Sequence, residues 1–361
     1  MSSSSSQIKK LILVIGATGA QGQAVINSLL ASGSDGLPSS YTVRALTRDI
    51  NGQRAQELRQ RGIEVVQGSV EDFTSITAAF RGVYGAWVNT DGFTIGEQKE
   101  IYSGMRIFEI AKQTPSMRHY VWSNLDYALK KGRYNEIYRC DHYDAKGRVG
   151  EWIQAQPSDP GNDGMSWSIV TSGPYMDMLF NMMFGPLFKR ADGTYVFASP
   201  IGKGHVPMIS LSDLGFFARY TFDNRTLTSG QELSIASDIV GWDYLVSTFQ
   251  AVTGEKATFV HQPLADWFAN FDGVDRPVAN ERADADGSTT WRENFSGWWA
   301  CWRDDIISRD MEWIRSINPG TQNLENWMKE NNYRGQWKRS ILKNTEDGKT
   351  INPRWNYLAQ L

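Results

Sequence analysis

Between Leu11 and about Val170 the chain alternates short apolar runs with stretches in which apolar residues recur every three or four positions. The runs LILVI (11–15), YTVRAL (41–46), IEVVQ (63–67), VYGAWV (83–88), HYVWS (119–123) and SWSIV (166–170) predict β-strands, since each is short, rich in β-branched or aromatic residues and bounded by turn formers. The stretches between them, QGQAVINSLLAS, GQRAQELRQR, FTSITAAF, GEQKEIYSGMRIFEIAKQ and the segment from Tyr143 to Ala155, predict helices. Strands that alternate with helices need crossover connections, so the pattern predicts a doubly wound parallel sheet. QPSDPGNDGM (156–165) reads as a polar loop before the sixth strand.

Beyond Ser172 the rhythm changes. Shorter strand runs (TYVFA, HVPMI, QELSIA, ATFVHQ) mix with the helical patterns SDLGFFARYTF and WDYLVSTFQAV, and a tail rich in tryptophan follows. The predicted organisation is a tail over 1–7, a nucleotide-binding domain over 8–172, and a smaller C-terminal α/β lobe over 173–361 that is partly interleaved with the sheet and takes substrate or a partner. Of the chain's 14 tryptophans most lie in that lobe, where rings of this size build a core or line an apolar cleft. The adjacent pair Trp298-Trp299 stands out: neighbours on a helix point ~100° apart, so one of the two is expected to border substrate or a partner.

Composition narrows the function classes. A net charge of -3, with Lys and Arg scattered among acids, offers no basic surface for a nucleic acid. The two cysteines, Cys140 and Cys301, and the four histidines show no metal-ligand spacing, so no metal is expected and a reducing cytoplasm suits the chain. MSSSSSQIKK carries neither a signal peptide's apolar region nor a membrane span. The serine tract is read as a disordered tail or a tag remnant.

Directly after the first strand comes Gly16-Ala17-Thr18-Gly19-Ala20-Gln21-Gly22, a GxxGxxG that opens a helix. Glycines there close the turn and bring backbone near a pyrophosphate, while the helix N-terminus supplies amide donors and a positive dipole end. A strand before and an amphipathic helix after are the context this motif requires. The second strand ends in Thr47-Arg48, with Asp49 one residue too late for the ribose-binding acid of an NAD site. Arg48 suits a 2′-phosphate through its planar fork, so NADP(H) is the expected cofactor.

LILVIGATGAQGQAVINSLL, VRALTRD, QGSVED, HYVWSNLD and HYDAKGRVGEWI together resemble the NmrA-like family of atypical short-chain dehydrogenases, over roughly Ile8 to Gln262. The resemblance implies NADP binding on an extended Rossmann fold, with some members acting as reductases and others as redox-sensing regulators. It carries cofactor contacts to Thr18, Gly19, Gln21, Gly22, Arg48, Ser69, Val70, Asn89, Thr90 and Lys146. Ser69 departs from the family, where many members have Asp.

A short-chain reductase usually has a phenol to protonate the carbonyl oxygen, a lysine four residues later, and a serine after the fifth strand. A literal YxxxK occurs at Tyr127 and Lys131, too soon after the fifth strand to lie on the crossover helix. In CDHYDAKGR the lysine position is Lys146 and the tyrosine position is His142, on the same helical face. Three readings stay open. Lys146 holds cofactor and polarises substrate while His142, Tyr138 or Tyr175 supplies the proton; or Lys146 binds NADP and nothing is reduced; or the segment is a solvated helix start. Histidine's ordinary pKa near ~6.5 suits a proton donor. Ser123 hydrogen-bonds a carbonyl or satisfies backbone at a strand end. Tyr175 matches a family position near the nicotinamide, and Met176, Met178, Met182 and Met183 surround it as core or as an adaptable apolar cleft. The candidates are thus an NADPH-dependent reductase of a bulky apolar or aromatic carbonyl, quinone or imine, or an NADP(H)-sensing regulator with a protein partner, either of them a homodimer in one arrangement.

Overall fold

The strand runs fold as their patterns require. In a computed structural model that describes residues 9–33, 36–161, 163–283, 286–338 and 351–361, the first run is β1 (Lys10–Ile15). The predicted tail over 1–7 lies outside the described residues. β1 leads through the glycine turn into α1 (Ala20–Leu30), and β2 (Tyr41–Thr47), α2 (Gln53–Gln60), β3 (Glu64–Gln67) and α3 (Phe73–Ala79) complete the first half. The second half runs β4 (Gly85–Val88), the single turn α4 (Gly92–Ile95), α5 (Glu97–Gln113), β5 (His119–Asn124), the short α6 (Ala128–Lys131), α7 (Asp141–Gln154) and β6 (Ser166–Thr171).

The remaining elements are β7 (Phe188–Lys189), β8 (Tyr195–Ser199), β9 (Val206–Met208), α8 (Leu211–Asp223), α9 (Arg225–Thr228), β10 (Gln231–Ser234), β11 (Asp238–Val240), α10 (Trp242–Thr253), β12 (Ala257–His261), α11 (Leu264–Ala269) and β13 (Phe271–Asp272). Then come α12 (Trp291–Arg303), α13 (Met311–Ile317), α14 (Leu324–Glu330) and β14 (Asn352–Pro353).

The main sheet has seven parallel strands in the order β10-β6-β5-β4-β1-β2-β3. Six of them are the predicted runs. The seventh, β10, comes from the QELS run beyond Ser172 and pairs with β6 from Gln231↔Ser168 to Ser234↔Thr171. The lobe sequence therefore returns to finish the sheet. Side chains alternate across the pleat: Ile12 and Val14 join α1 and α8 on one face, while Leu13 and Ile15 join α3, α5 and α7 on the other. Burying each such aliphatic side chain contributes roughly 1.5–3 kcal/mol, so two covered faces strongly specify the register.

The order reverses between β1 and β4, both of whose C-terminal ends open into one crevice. Over that crevice sits the lobe, built on the sheets β12-β8-β7 and β11-β9 and on a core containing Trp242, Trp267, Trp299, Trp302 and Trp327. Among the described residues no helix is long and apolar enough to cross a membrane.

Candidate active site

The glycine turn is shaped by backbone proximity. Gly16 has φ +82, and a Cβ there would stand 2.8 Å from the Asn89 carbonyl oxygen. At Gly22 a Cβ would fall 2.2 Å from the Gly16 carbonyl oxygen, so α1 rests against the turn with no side chain between. The first-turn N–H groups of α1 have no intrahelical acceptor and point at the crevice mouth, the arrangement a pyrophosphate needs. Arg54 donates to the Thr18 carbonyl oxygen at 2.8 Å and braces the turn from α2. These features fit a dinucleotide.

The crevice continues as a cavity of about 780 Å³. Gly16, Thr18, Gly19, Gln21, Arg48, Ser69, Val70, Asn89, Thr90, His142, Lys146 and Tyr175 all line it, so the structure brings most of the predicted residues onto one surface. Arg48 is exposed at its lip. The lobe contributes Trp291, Phe295 and Trp298, with Met178, Met182 and Met183 beside them. Of the adjacent tryptophans, Trp298 borders the cavity while Trp299 is fully buried in the lobe core.

Lys146 is 7% exposed, and its ammonium is held at the ends of β4 and β5. It donates to Asn89 Oδ1 at 3.0 Å, to Thr90 O at 3.0 Å and to Thr90 Oγ1 at 3.2 Å, with Ser123 O at 3.4 Å. Three N–H groups thus face more acceptors than they can fill. The charge is balanced by Glu100, 0% exposed on α5, whose Oε1 is 3.3 Å from Lys146 Nζ and accepts from Thr90 Oγ1 at 2.6 Å. Burial pushes the Glu100 pKa up, and the Lys146 charge followed by the Thr90 bond oppose it. Gly92 is required by the same carboxylate, because a Cβ there would lie 2.2 Å from Glu100 Oε2. Sequence reasoning missed Glu100. Its signal was a charged residue on the stripe Glu100, Ser103, Gly104, Ile107 and Phe108, all of which are buried.

His142 is half-buried among rings, 4.5 Å from Phe93 and 5.7 Å from Phe295 between centroids. Its Nδ1 bonds the amide of the buried Asn294. Desolvation pulls its pKa down to about 4, the Asn294 bond opposes this, and the Lys146 charge lowers it further. The imidazole is therefore held neutral at neutral pH, and it lies on the cavity surface as a candidate site residue.

Tyr175 is the phenol on the cavity wall. Burial raises its pKa, and a hydrogen bond from the Gln21 side chain works against that rise. Gln21 Oε1 in turn accepts from Ser123 Oγ at 2.7 Å. Ser123 is buried behind Gln21 and is not on the cavity surface; its hydroxyl is spent orienting Gln21. Two further residues predicted to touch substrate lie elsewhere. Met176 is fully buried in the lobe core, where its position on the 3₁₀ turn over Met176–Phe180 points it away from the cavity. Tyr138 bonds Asp304 Oδ2 at 3.0 Å outside the cavity. The literal YxxxK is excluded from the site as expected: Tyr127 OH accepts from Arg148 Nε at 2.9 Å and Lys131 is exposed.

The model of the NmrA-like family matches residues 8–286. The chain belongs to the NmrA-like family. An NmrA-like family domain-containing oxidoreductase of Aspergillus hancockii is 31% identical over 271 residues, covering 72% of this chain and 76% of the relative. Among solved structures, the negative transcriptional regulator NmrA in complex with NAD superposes with a TM-score of 0.68 at 19% identity, covering 90% of this chain and 95% of that one. An NADPH-dependent quinone oxidoreductase of Escherichia coli, complexed with NADPH, superposes with a TM-score of 0.63 at 16% identity, covering 89% and 100%. At these identities the two structures share the fold of this family member.

Proposed function

We propose that the protein is an NADPH-dependent reductase of a bulky apolar or aromatic carbonyl, quinone or imine, working in the cytoplasm. One observation carries the reading: a single cavity joins the glycine turn, Arg48, the anchored Lys146, the Tyr175 phenol and the aromatic wall of the lobe. The curated relative is named an oxidoreductase, and the quinone oxidoreductase neighbour was solved with NADPH, which supports the same reading. The division of labour falls near Ser172, with the sheet holding cofactor and the lobe holding substrate.

Bound NADPH would supply a hydride to the substrate carbon. The turn from Gly16 to Gly22 and the N-terminus of α1 would receive its pyrophosphate, and Arg48 its 2′-phosphate. Asn89, Thr90 and Lys146, bonded to one another on the cavity surface, would hold the nicotinamide half of the cofactor. Tyr175 keeps its proton at neutral pH and gives it to the substrate oxygen, with Gln21 and Ser123 fixing the phenol.

A second reading, an NADP(H)-responsive regulator, is favoured by the state of the acid–base groups. The Lys146 N–H groups are engaged with protein acceptors and His142 is neutral. Both facts weaken acid–base catalysis, while the glycine turn and Arg48 stay on the cavity surface for the nucleotide. Loss of NADPH absorbance against a panel of quinones, ketones and imines decides between them. Turnover is expected, with Tyr175→Phe lowering kcat by about 10²–10⁴-fold at unchanged NADPH affinity. Tight NADP(H) binding with no turnover on any member of the panel would sink the reductase.

A further inference from the structure

The family match ends at residue 286, but the cavity wall does not. Five large rings on it come from the segment beyond: Trp291, Phe295, Trp298, Trp337 and Trp355. The first three are buried in the lobe, at 6%, 6% and 2% exposure. Trp337 and Trp355 differ, since 38% and 57% of their surfaces stay exposed while their rings stack with centroids 5.7 Å apart and planes at 26°. Rings this large gain stability by burial, so a stacked pair left half in water at a cavity wall forgoes part of that gain.

The pair is nevertheless held in place. The Trp337 indole N–H donates to Pro186 O at 3.0 Å. The next residue, Lys338, donates its backbone N–H to Phe180 O at 2.9 Å and holds its ammonium 3.9 Å from the Phe180 ring centroid. Trp355 follows β14, which pairs antiparallel with β13, and Arg354 N–H donates to Asn270 O at 2.7 Å. A pre-ordered aromatic face loses little side-chain freedom on binding and presents a π surface that only a planar partner matches.

We propose that Trp337 and Trp355 form a stacking subsite for a planar, multi-ring aromatic part of the substrate, so that the segment beyond the family-matched region sets substrate choice. The word substrate rests on the reductase reading; the stacking itself is measurable without turnover. A saturated group of the same size would gain only burial there, whereas a planar ring system gains burial and ring–ring attraction.

Calorimetric titration of the full-length chain, with and without NADP+, uses two 1,2-diketones of different shape: planar 9,10-phenanthrenequinone and the saturated, cage-like camphorquinone. The wild type is expected to bind the planar diketone more tightly. Trp355→Ala and Trp337→Ala each weaken it about tenfold, change camphorquinone less than about twofold, and leave NADPH affinity unchanged; Trp355→Phe restores most of the loss. Both rings are partly exposed, so truncation spares the core, and a thermal melt of each variant checks this. Equal loss of both diketones, no loss of the planar one, or no preference in the wild type would overturn the subsite. So would concentration-dependent dimerisation that Trp355→Ala abolishes, because the pair would then cover a second copy. Failure of the wild type to bind NADPH would count against the reductase reading alone, since the diketone comparison runs without cofactor.

Discussion

Replacing Lys146 by alanine is the natural test of a cofactor lysine, and the structure predicts that its first effect falls on Glu100. That carboxylate is fully buried, has Lys146 as its counter-charge at 3.3 Å, and leaves Oε2 without a hydrogen-bond partner. Breaking a buried pair from one side costs roughly 3–5 kcal/mol, because a charge is left uncompensated. At about 2 °C per kcal/mol for a chain of this size, the unfolding midpoint of Lys146→Ala should fall by roughly 6–10 °C at pH 8. The pH dependence has a definite sign. Burial already raises the Glu100 pKa, and removing the lysine deletes the largest influence opposing it. An acid with a raised folded pKa binds more protons folded than unfolded, so stability is kept at low pH and lost as pH rises from the ordinary carboxylate value through the raised one. The deficit of Lys146→Ala is therefore smaller near pH 5 than at pH 8. Adding Glu100→Gln removes the stranded charge, and the double variant should regain most of the midpoint while still lacking the lysine. Thermal melts from pH 5 to pH 8, with NADPH titrations at each, measure all of this. A deficit that does not change with pH, or a double variant no more stable than the single one, would refute the account. If it holds, lost turnover in Lys146→Ala alone says little about catalysis.

Two other outcomes follow from the same geometry. Arg48→Ala should lower NADPH affinity by about tenfold to a hundredfold, the worth of a charge-assisted contact, and leave NADH affinity nearly unchanged; an unaltered NADPH/NADH ratio would remove Arg48 from the 2′-phosphate site. His142, with its pKa drawn down to about 4, binds fewer protons folded than unfolded, so it contributes stability above its ordinary value that is lost as pH falls from about 6.5 towards 4. His142→Phe should flatten the acid limb of the melting profile over that window, and a limb identical to the wild type's would show that the imidazole is not desolvated.

What the sequence alone determined is what neighbouring residues decide among themselves. The six strand runs, the glycine turn and the crossover helix carrying Lys146 were legible because period, turn chemistry and steric need act over a few residues. The tertiary structure decided the rest. Lys146 meets Thr90 across 56 residues and Ser123 meets Gln21 across 102, distances over which no local pattern operates. Tyr138 and Tyr175 were both candidate phenols as sequence, Tyr175 alone with a family match behind it; the backbone path turns one toward Asp304 and sets the other on the cavity wall. Trp298 and Trp299 divide in the same way between cavity and core, and the QELS run joins the main sheet as its seventh strand by pairing with β6. Glu100 marks the boundary between the two kinds of information: its place on an apolar helical face was visible in the sequence, but a buried charge is tolerable only beside an opposite one, and which cation answers it is settled by how α5 and α7 pack.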